Sequence, residues 1–155
     1  MICRWNGPGG LVLDAMPAEP RLAGFVNDWQ VASLPHAAMV SLPSGATIRA
    51  VPAPYLLATK LEAFDGRGRG DFLGSRDFAD IVALIDGREE LVVEVGAAPA
   101  DLRDYVSRRL AHHRSDVRFL DGIFGALSPD EASQSRAELL VIPRVAALID
   151  PRDDG

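Results

Sequence analysis

The sequence contains a single cysteine and a single lysine among its 155 residues. Cys3 alone cannot form a disulfide within the chain, which is the usual situation in the reducing cytoplasm. No apolar run approaches the roughly 20 residues that a transmembrane helix needs, and the first residues lack the basic and apolar pattern of a secretion signal. These absences predict a soluble cytoplasmic protein that does not enter a membrane.

Positive charge is also scarce. Acidic residues outnumber basic residues by 22 to 16, so the formal net charge is -6. A broad coating of nucleic acid or of an anionic membrane needs a large positive surface and is therefore excluded, although a local basic patch is not. Apolar residues make up 48% of the chain and charged residues 25%, as in an ordinary globular protein. At this length we expect one compact unit.

The first third of the sequence is typical of short strands. β-Prone runs begin at Met1, Leu11 and Ala38, and glycine and proline residues that favour turns separate them. Residues 1–51 are therefore predicted to form a small mixed or antiparallel sheet. The segment that begins at Gly24 has no clear period, and we interpret it as a loop or as an irregular segment whose Phe25 and Trp29 pack on the sheet.

From residue 52 to residue 150 the apolar residues recur at helical spacing. We predict an α+β fold in which a C-terminal helical bundle follows the sheet and residues 151–155 form a tail. The predicted helices run from Pro54 to a stop at Gly66, from a Ser75 cap to Gly87, from Pro99 to about Arg114, from Val117 to about Ala126, and from Pro129 to about Leu148, with a cap at Ser128 and a kink at Pro143.

Lys60 is the one lysine beside 15 arginines. At roughly 100° per residue, it lies about 40° from Phe64, at the edge of the apolar stripe of its helix. Asp77 lies about 40° from Ile81 on the next helix, and Asp80 lies nearer the solvent side. If the two stripes pack together, Lys60 and Asp77 reach the same boundary of the core. A lysine there is a compact charge suited to phosphate; the alternative is a surface lysine and an acid that offsets the helix dipole.

Two further features suggest ligand chemistry. Asp14 stands at the end of a predicted strand, where a carboxylate can hold Mg²⁺ together with substrate phosphates, although a strand-end aspartate is also a common turn residue. A glycine-rich loop, GRGRGD, begins at Gly66, and Arg67, Arg69 and Arg76 lie in or next to it and can contact phosphate oxygens. A flexible solvated loop is the competing interpretation, because glycine leaves the backbone unconstrained.

Zinc is not expected. His112 and His113 are adjacent, so they point to different faces of a helix and cannot form the i, i+4 pair that binds zinc. The remaining histidine, His36, follows a proline in a predicted loop. No arrangement of serine or cysteine with histidine has the spacing of a nucleophilic triad.

The run LVLDAMP from Leu11, the segment LPSGATIRAVPAPYLLATKLEAF from Leu42, the glycine-rich loop and SRDFADIVALIDGR from Ser75 together resemble the AbiEii-type nucleotidyltransferase-like proteins, the toxins of type IV toxin-antitoxin systems. The resemblance covers nearly the whole chain and is most specific over residues 52–88. It implies a sheet of the nucleotidyltransferase type and the transfer of a nucleotide from a nucleoside triphosphate to an acceptor such as RNA. By the family pattern, Asp14 is a magnesium ligand, Lys60 contacts phosphate, and Asp77 completes the site.

The sequence departs from the family pattern in one respect, because it begins after the Gly-Ser and Asp-x-Asp region of such proteins. A single strand carboxylate cannot hold two metal ions, so we expect weak or no turnover from this chain. The alternative is a non-catalytic interaction module that binds an antitoxin-like partner or a second copy of itself, since a sheet lacking a strand has an exposed edge.

Overall fold

Two β-hairpins form the N-terminal part of the computed structural model, which describes residues 3–15 and 27–150. In the first hairpin, β1 (Cys3–Asn6) pairs antiparallel with β2 (Val12–Ala15). The turn between them contains Gly9 and Gly10 at φ values of 70° and 81°, a conformation that glycine adopts without strain. The run of apolar residues after this turn therefore forms a strand, as predicted.

The second hairpin pairs β3 (Ala38–Ser41) with β4 (Thr47–Ala50), and Gly45 has a φ of 84° in the turn. The prediction of N-terminal strands followed by helices is confirmed. The described strands nevertheless form two separate antiparallel sheets rather than one. Pairing is local in both hairpins, because a tight turn brings each strand onto its neighbour at little entropic cost.

A short helix, α1 (Asp28–Ser33), lies between the hairpins. The segment around Trp29 was predicted to be a loop or an irregular segment, and that prediction is wrong over the residues of α1. Residues 24–26 of the segment lie outside the described residues. The Asn27 side chain caps the helix, because its Oδ1 accepts a hydrogen bond from the backbone N–H of Gln30. Its Nδ2 donates to the backbone carbonyl of Thr59 at 2.9 Å. A six-residue helix is too short to show a period, so the cap and this tertiary bond define it.

The C-terminal part is helical, as predicted. Its helices are α2 (Ala53–Ala63), α3 (Arg76–Gly87), α4 (Leu91–Gly96), α5 (Ala100–Arg114), α6 (Phe119–Ala126), α7 (Glu131–Arg136) and α8 (Ile142–Ile149). The predicted Ser75 cap of α3 is confirmed, since the Ser75 hydroxyl accepts from the amide of Phe78. Helix α4 was not predicted, because its six residues contain little more than one buried pair, Leu91 and Val95.

The last predicted helix differs in two details. Its cap is Asp130 rather than Ser128, and the Asp130 carboxylate accepts from the amide of Ser133 at 2.9 Å. A π-helical stretch, Ala137–Val141, then separates α7 from α8. Pro143 lies in the first turn of α8, directly after this stretch, a position in a helix that proline tolerates well.

An aromatic cluster forms one end of the core. Phe64 lies 5.2 Å from Phe72 and 5.3 Å from Phe78, measured between ring centroids, and Phe72 and Phe78 are 4.9 Å apart. Phe119 extends the cluster from α6. Because Phe64 and Phe72 flank the glycine-rich loop, the cluster anchors that loop between α2 and α3.

The glycine-rich loop begins as a π-helical turn over Phe64–Gly68. Gly66 was predicted to end the preceding helix, but it lies inside this turn. The direction of the chain changes at Arg69 and Gly70, whose φ values are 51° and 72°. Within the described residues, no helix is long and apolar enough to cross a membrane.

Candidate functional site

Asp77 is the buried acid of the candidate site. It lies in the first turn of α3, one residue after the exposed Arg76, and its side chain is only 6% exposed. The apolar stripe of α3 carries Phe78, Ile81 and Val82 into the core, so the first turn of the helix is held against α2. A carboxylate in this position requires cationic partners to offset its loss of water.

Two cations from different elements meet at Asp77. Arg67, from the π-helical turn, donates through Nε at 2.6 Å and through Nη2 at 2.8 Å to the two carboxylate oxygens. Lys60, from α2, places its Nζ 3.4 Å from Asp77 Oδ1 and 2.5 Å from Asp80 Oδ2. The expectation that Lys60 and Asp77 reach the same boundary of the core is thus confirmed, and Arg67 joins them.

The electrostatics of Asp77 follow from these contacts. The hydrogen bonds from Arg67 lower the pKa of Asp77 below its ordinary value, and the Lys60 ammonium adds to this effect, while burial opposes it. The same pair raises the pKa of Arg67. Asp77 therefore remains ionised and holds both cations at the edge of the core.

The exposures of the four side chains differ widely. Arg67 is 63% exposed and Asp80 52%, whereas Lys60 is 26% exposed. The pair between Lys60 and Asp80 is therefore near solvent, where an ion pair contributes little to stability. The pair between Arg67 and Asp77 has one buried member and a two-point geometry, so it is the stronger anchor.

The other predicted residues lie elsewhere. Arg76 is exposed at the start of α3 and has no side-chain partner among the described residues. Arg69 lines a cleft against α5 rather than contacting Asp77. Asp14 lies on the first hairpin and accepts from Arg4 at 2.6 and 2.7 Å. The structure thus brings together Lys60, Asp77 and Arg67, and shows no ion pair between them and Asp14 in the described part of the chain.

A second charged cluster escaped sequence reasoning. Asp65 of the π-helical turn pairs with Arg109 of α5 at 2.6 Å, and His113 Nε2 lies 3.0 Å from the same carboxylate oxygen but not in a hydrogen-bonding orientation. Arg109 and His113 are four residues apart and share one face of α5. That spacing was visible in the sequence, but nothing in the sequence connects it to Asp65.

His113 is buried and His112 is exposed, which confirms that the adjacent histidines face different directions. Burial lowers the pKa of His113 below its ordinary value, and the Asp65 carboxylate opposes this effect. The ring of His113 packs edge-on against Phe64 at 5.0 Å, so it also belongs to the aromatic cluster. His113 is therefore a neutral core residue near pH 7.

The Lys60–Asp77–Arg67 cluster is a charged edge between two helices, where two cations pair with Asp77 and, in the case of Lys60, also with Asp80. Comparison of the chain with protein-family models, with curated proteins and with solved structures found no match.

Proposed function

We propose that the chain is a nucleotidyltransferase-like protein of the AbiEii type, and that its Lys60–Asp77–Arg67 cluster binds the phosphates of a nucleoside triphosphate. The sequence resemblance supplies the reaction class, which is transfer of a nucleotide to an acceptor such as RNA with the help of Mg²⁺. The described strands form only two small hairpins. A sheet of the nucleotidyltransferase type is therefore part of the same proposal.

One observation carries this proposal: a buried carboxylate holds two cations from different elements in place. Arg67 uses Nε and Nη2 on Asp77 and leaves Nη1 without a partner among the described residues. Lys60 has three N–H groups for two carboxylate partners. Both cations therefore retain donors for a ligand while their positions are already set, which reduces the entropic cost of binding.

Phosphate can bind Lys60 by displacing the exposed Asp80. Its pair with Lys60 is near solvent and contributes about 0 to 1 kcal/mol, so a phosphate oxygen can replace it at little cost. Asp77 would remain bound to Arg67 during the exchange.

The described residues fit Mg²⁺ less well than they fit phosphate. Asp14 is the ligand that the resemblance implies, and both of its oxygens accept from Arg4. The described residues contain no group of three or more acidic, histidine or cysteine side chains placed to hold a metal ion. These residues therefore support nucleotide binding, and the transfer step stays an implication of the resemblance.

Replacing Lys60 with methionine is expected to weaken triphosphate binding at least about tenfold, because a hydrogen bond to a charged group contributes about 1.5–3 kcal/mol. Replacing Asp80 with asparagine is expected to tighten binding, since Lys60 loses its competing partner. Isothermal titration calorimetry with each of four ribonucleoside triphosphates and with tripolyphosphate measures both effects.

A matched control is Arg88→Met, which removes a cation at the far end of α3 that pairs with Glu94. It should bind triphosphate as the parent does. The proposal fails if the parent binds none of these ligands, or if Lys60→Met binds as tightly as the parent. The Asp80→Asn variant separates a ligand-binding lysine from a merely structural one, because a structural lysine would give no gain.

A second candidate function is that of a non-catalytic interaction module. Its second hairpin would pair with a second copy of the chain or, alternatively, with an antitoxin-like protein. The specific observation is exposure: Met39, Val40 and Ile48 are all exposed, and within the described residues neither strand of this hairpin pairs with a further strand. Exposed strand edges of apolar residues favour pairing with another chain.

Sedimentation velocity over a hundredfold range of concentration tests this candidate. We expect a concentration-dependent shift from monomer to dimer that Val40→Lys abolishes, because a charge on a paired strand opposes edge-to-edge association. The control is Val93→Lys, which places the same charge on an exposed residue of α4. A monomer at every concentration would contradict self-association and leave a different protein as the partner to be sought.

A further inference from the structure

A surface cleft of about 490 Å³ lies between the glycine-rich loop and the C-terminal end of α5. Its volume is in the range of small-molecule sites. Arg69 and Gly70 form the loop side, and Arg109, His112 and His113 form the helix side, with Phe64 and Phe72 beneath them. The cleft involves none of the residues of the Lys60–Asp77–Arg67 cluster.

Two carboxylates line the cleft, and both already have cationic partners. Asp65 Oδ1 forms an ion pair with Arg109 Nη2 at 2.6 Å. Asp116 accepts from the Arg118 side chain at 2.7 and 3.0 Å and from the Arg118 amide at 2.9 Å. These hydrogen bonds lower the pKa of Asp116 to about 2, so it is ionised and fully engaged near neutral pH. Neither acid is therefore a free site for a cation.

The carbonyl groups at the end of α5 are engaged as well. His112 accepts from the Ser115 amide and from the Ser115 hydroxyl, and His113 accepts from the Asp116 amide. Carbonyls at a helix terminus would otherwise disfavour an anion. With these bonds made, the acceptors around the cleft have little capacity left.

Among the described residues of the cleft, the side-chain groups that remain unpaired are nitrogen groups. Arg69 has no side-chain partner among the described residues, and its exposed guanidinium lines the cleft. Arg109 Nε and His113 Nε2 are buried and lack a hydrogen-bond partner within the described part of the chain, and the side chain of His113 is more than nine-tenths buried. Arg109 Nε carries an N–H, and the neutral imidazole of His113 carries one N–H on one of its two ring nitrogens. Counting the Arg118 pair as neutral, the lining charges of Arg69, Arg109 and Asp65 sum to one positive charge.

We propose that this cleft is a second anion site, which binds a phosphoryl group through Arg69 and Arg109 at the edge of the aromatic cluster. Arg67 and Arg69 are two residues apart, and they reach different helices, so the loop serves both sites. The ligand is either free phosphate or a small phosphate ester, since both present the same tetrahedral oxyanion. The site is independent of the triphosphate site proposed above.

Nuclear magnetic resonance of ¹⁵N-labelled full-length protein tests this site directly. Titration with inorganic phosphate, and separately with a nucleoside monophosphate, is expected to shift the amide signals of Gly70 and His113 in a saturable way. In Arg69→Gln the Kd from these signals should rise at least about tenfold, because a charged donor is lost. The matched control Arg108→Gln removes a neighbouring exposed cation of α5 that does not line the cleft, and it should keep the parent Kd.

The variant Lys60→Met separates the two sites, and it should retain the shifts at Gly70 and His113 even if triphosphate binding is lost. Saturable binding of either ligand supports the proposal, and the tighter ligand identifies its source. Shifts that do not saturate, that sodium chloride reproduces at equal ionic strength, or that persist unchanged in Arg69→Gln would overturn it.

Discussion

The Phe64→Ala variant is expected to lose about 3–5 kcal/mol of unfolding free energy, the range for removing a large aromatic side chain from a packed core. The Phe64 side chain is fully buried. Its ring contacts Phe72, Phe78 and His113 at centroid distances between 5.0 and 5.3 Å. Alanine would leave a cavity where three rings and the backbone at Gly68 converge.

Urea denaturation, monitored by circular dichroism, measures this loss of unfolding free energy. Phe64→Leu should lose less, because it retains most of the volume, and Phe124→Ala is the matched control since Phe124 is only partly buried on α6. A loss at Phe64 no larger than that at Phe124 would show that the aromatic cluster does not anchor the loop. Since native domains are stable by about 5–15 kcal/mol, the full effect is easily detected.

Replacing Gly122 with alanine should destabilise the protein by about 2–3 kcal/mol, the upper part of the range for overpacking. A β-carbon at this position would lie 2.6 Å from Phe72 Cβ, 2.8 Å from Phe78 Cε1 and 3.1 Å from the Phe72 carbonyl oxygen. The backbone oxygen and the Cβ of Phe72 cannot move without displacing the loop. Alanine ordinarily stabilises a helix by about 1 kcal/mol relative to glycine, so the sign of the effect is informative.

Gly125→Ala supplies the contrast on the same helix. Its β-carbon would meet Leu73 Cδ2 at 2.8 Å, but Leu73 is 72% exposed and its side chain can rotate away. We therefore expect no loss, or a small gain from helix propensity. Thermal and urea denaturation of the two variants in parallel gives the comparison. Equal behaviour would mean that the close packing of α6 on the loop is absent in solution.

Much of the helical half could be predicted from the sequence because its signals are local. Ser75 precedes a clear apolar period and caps α3 in the structure. The positions of Lys60 and Asp77 beside their stripes predicted a shared boundary, and the 3.4 Å contact between them agrees. Short elements were predicted less well: α1 and α4 have six residues each, too few to show a period.

The sequence by itself determined that strands precede helices, the faces that α2 and α3 turn to the core, and the placement of Lys60 and Asp77 at the edges of those faces. Tertiary structure decided which charges meet: Arg67 bonds Asp77, and Asp65 bonds Arg109, which is 44 positions further along the chain. The spacing of apolar residues predicts which face of a helix is buried, but not which other element packs against that face. Partners depend on how the remaining helices pack around the aromatic cluster, and that arrangement is set by many long-range contacts together.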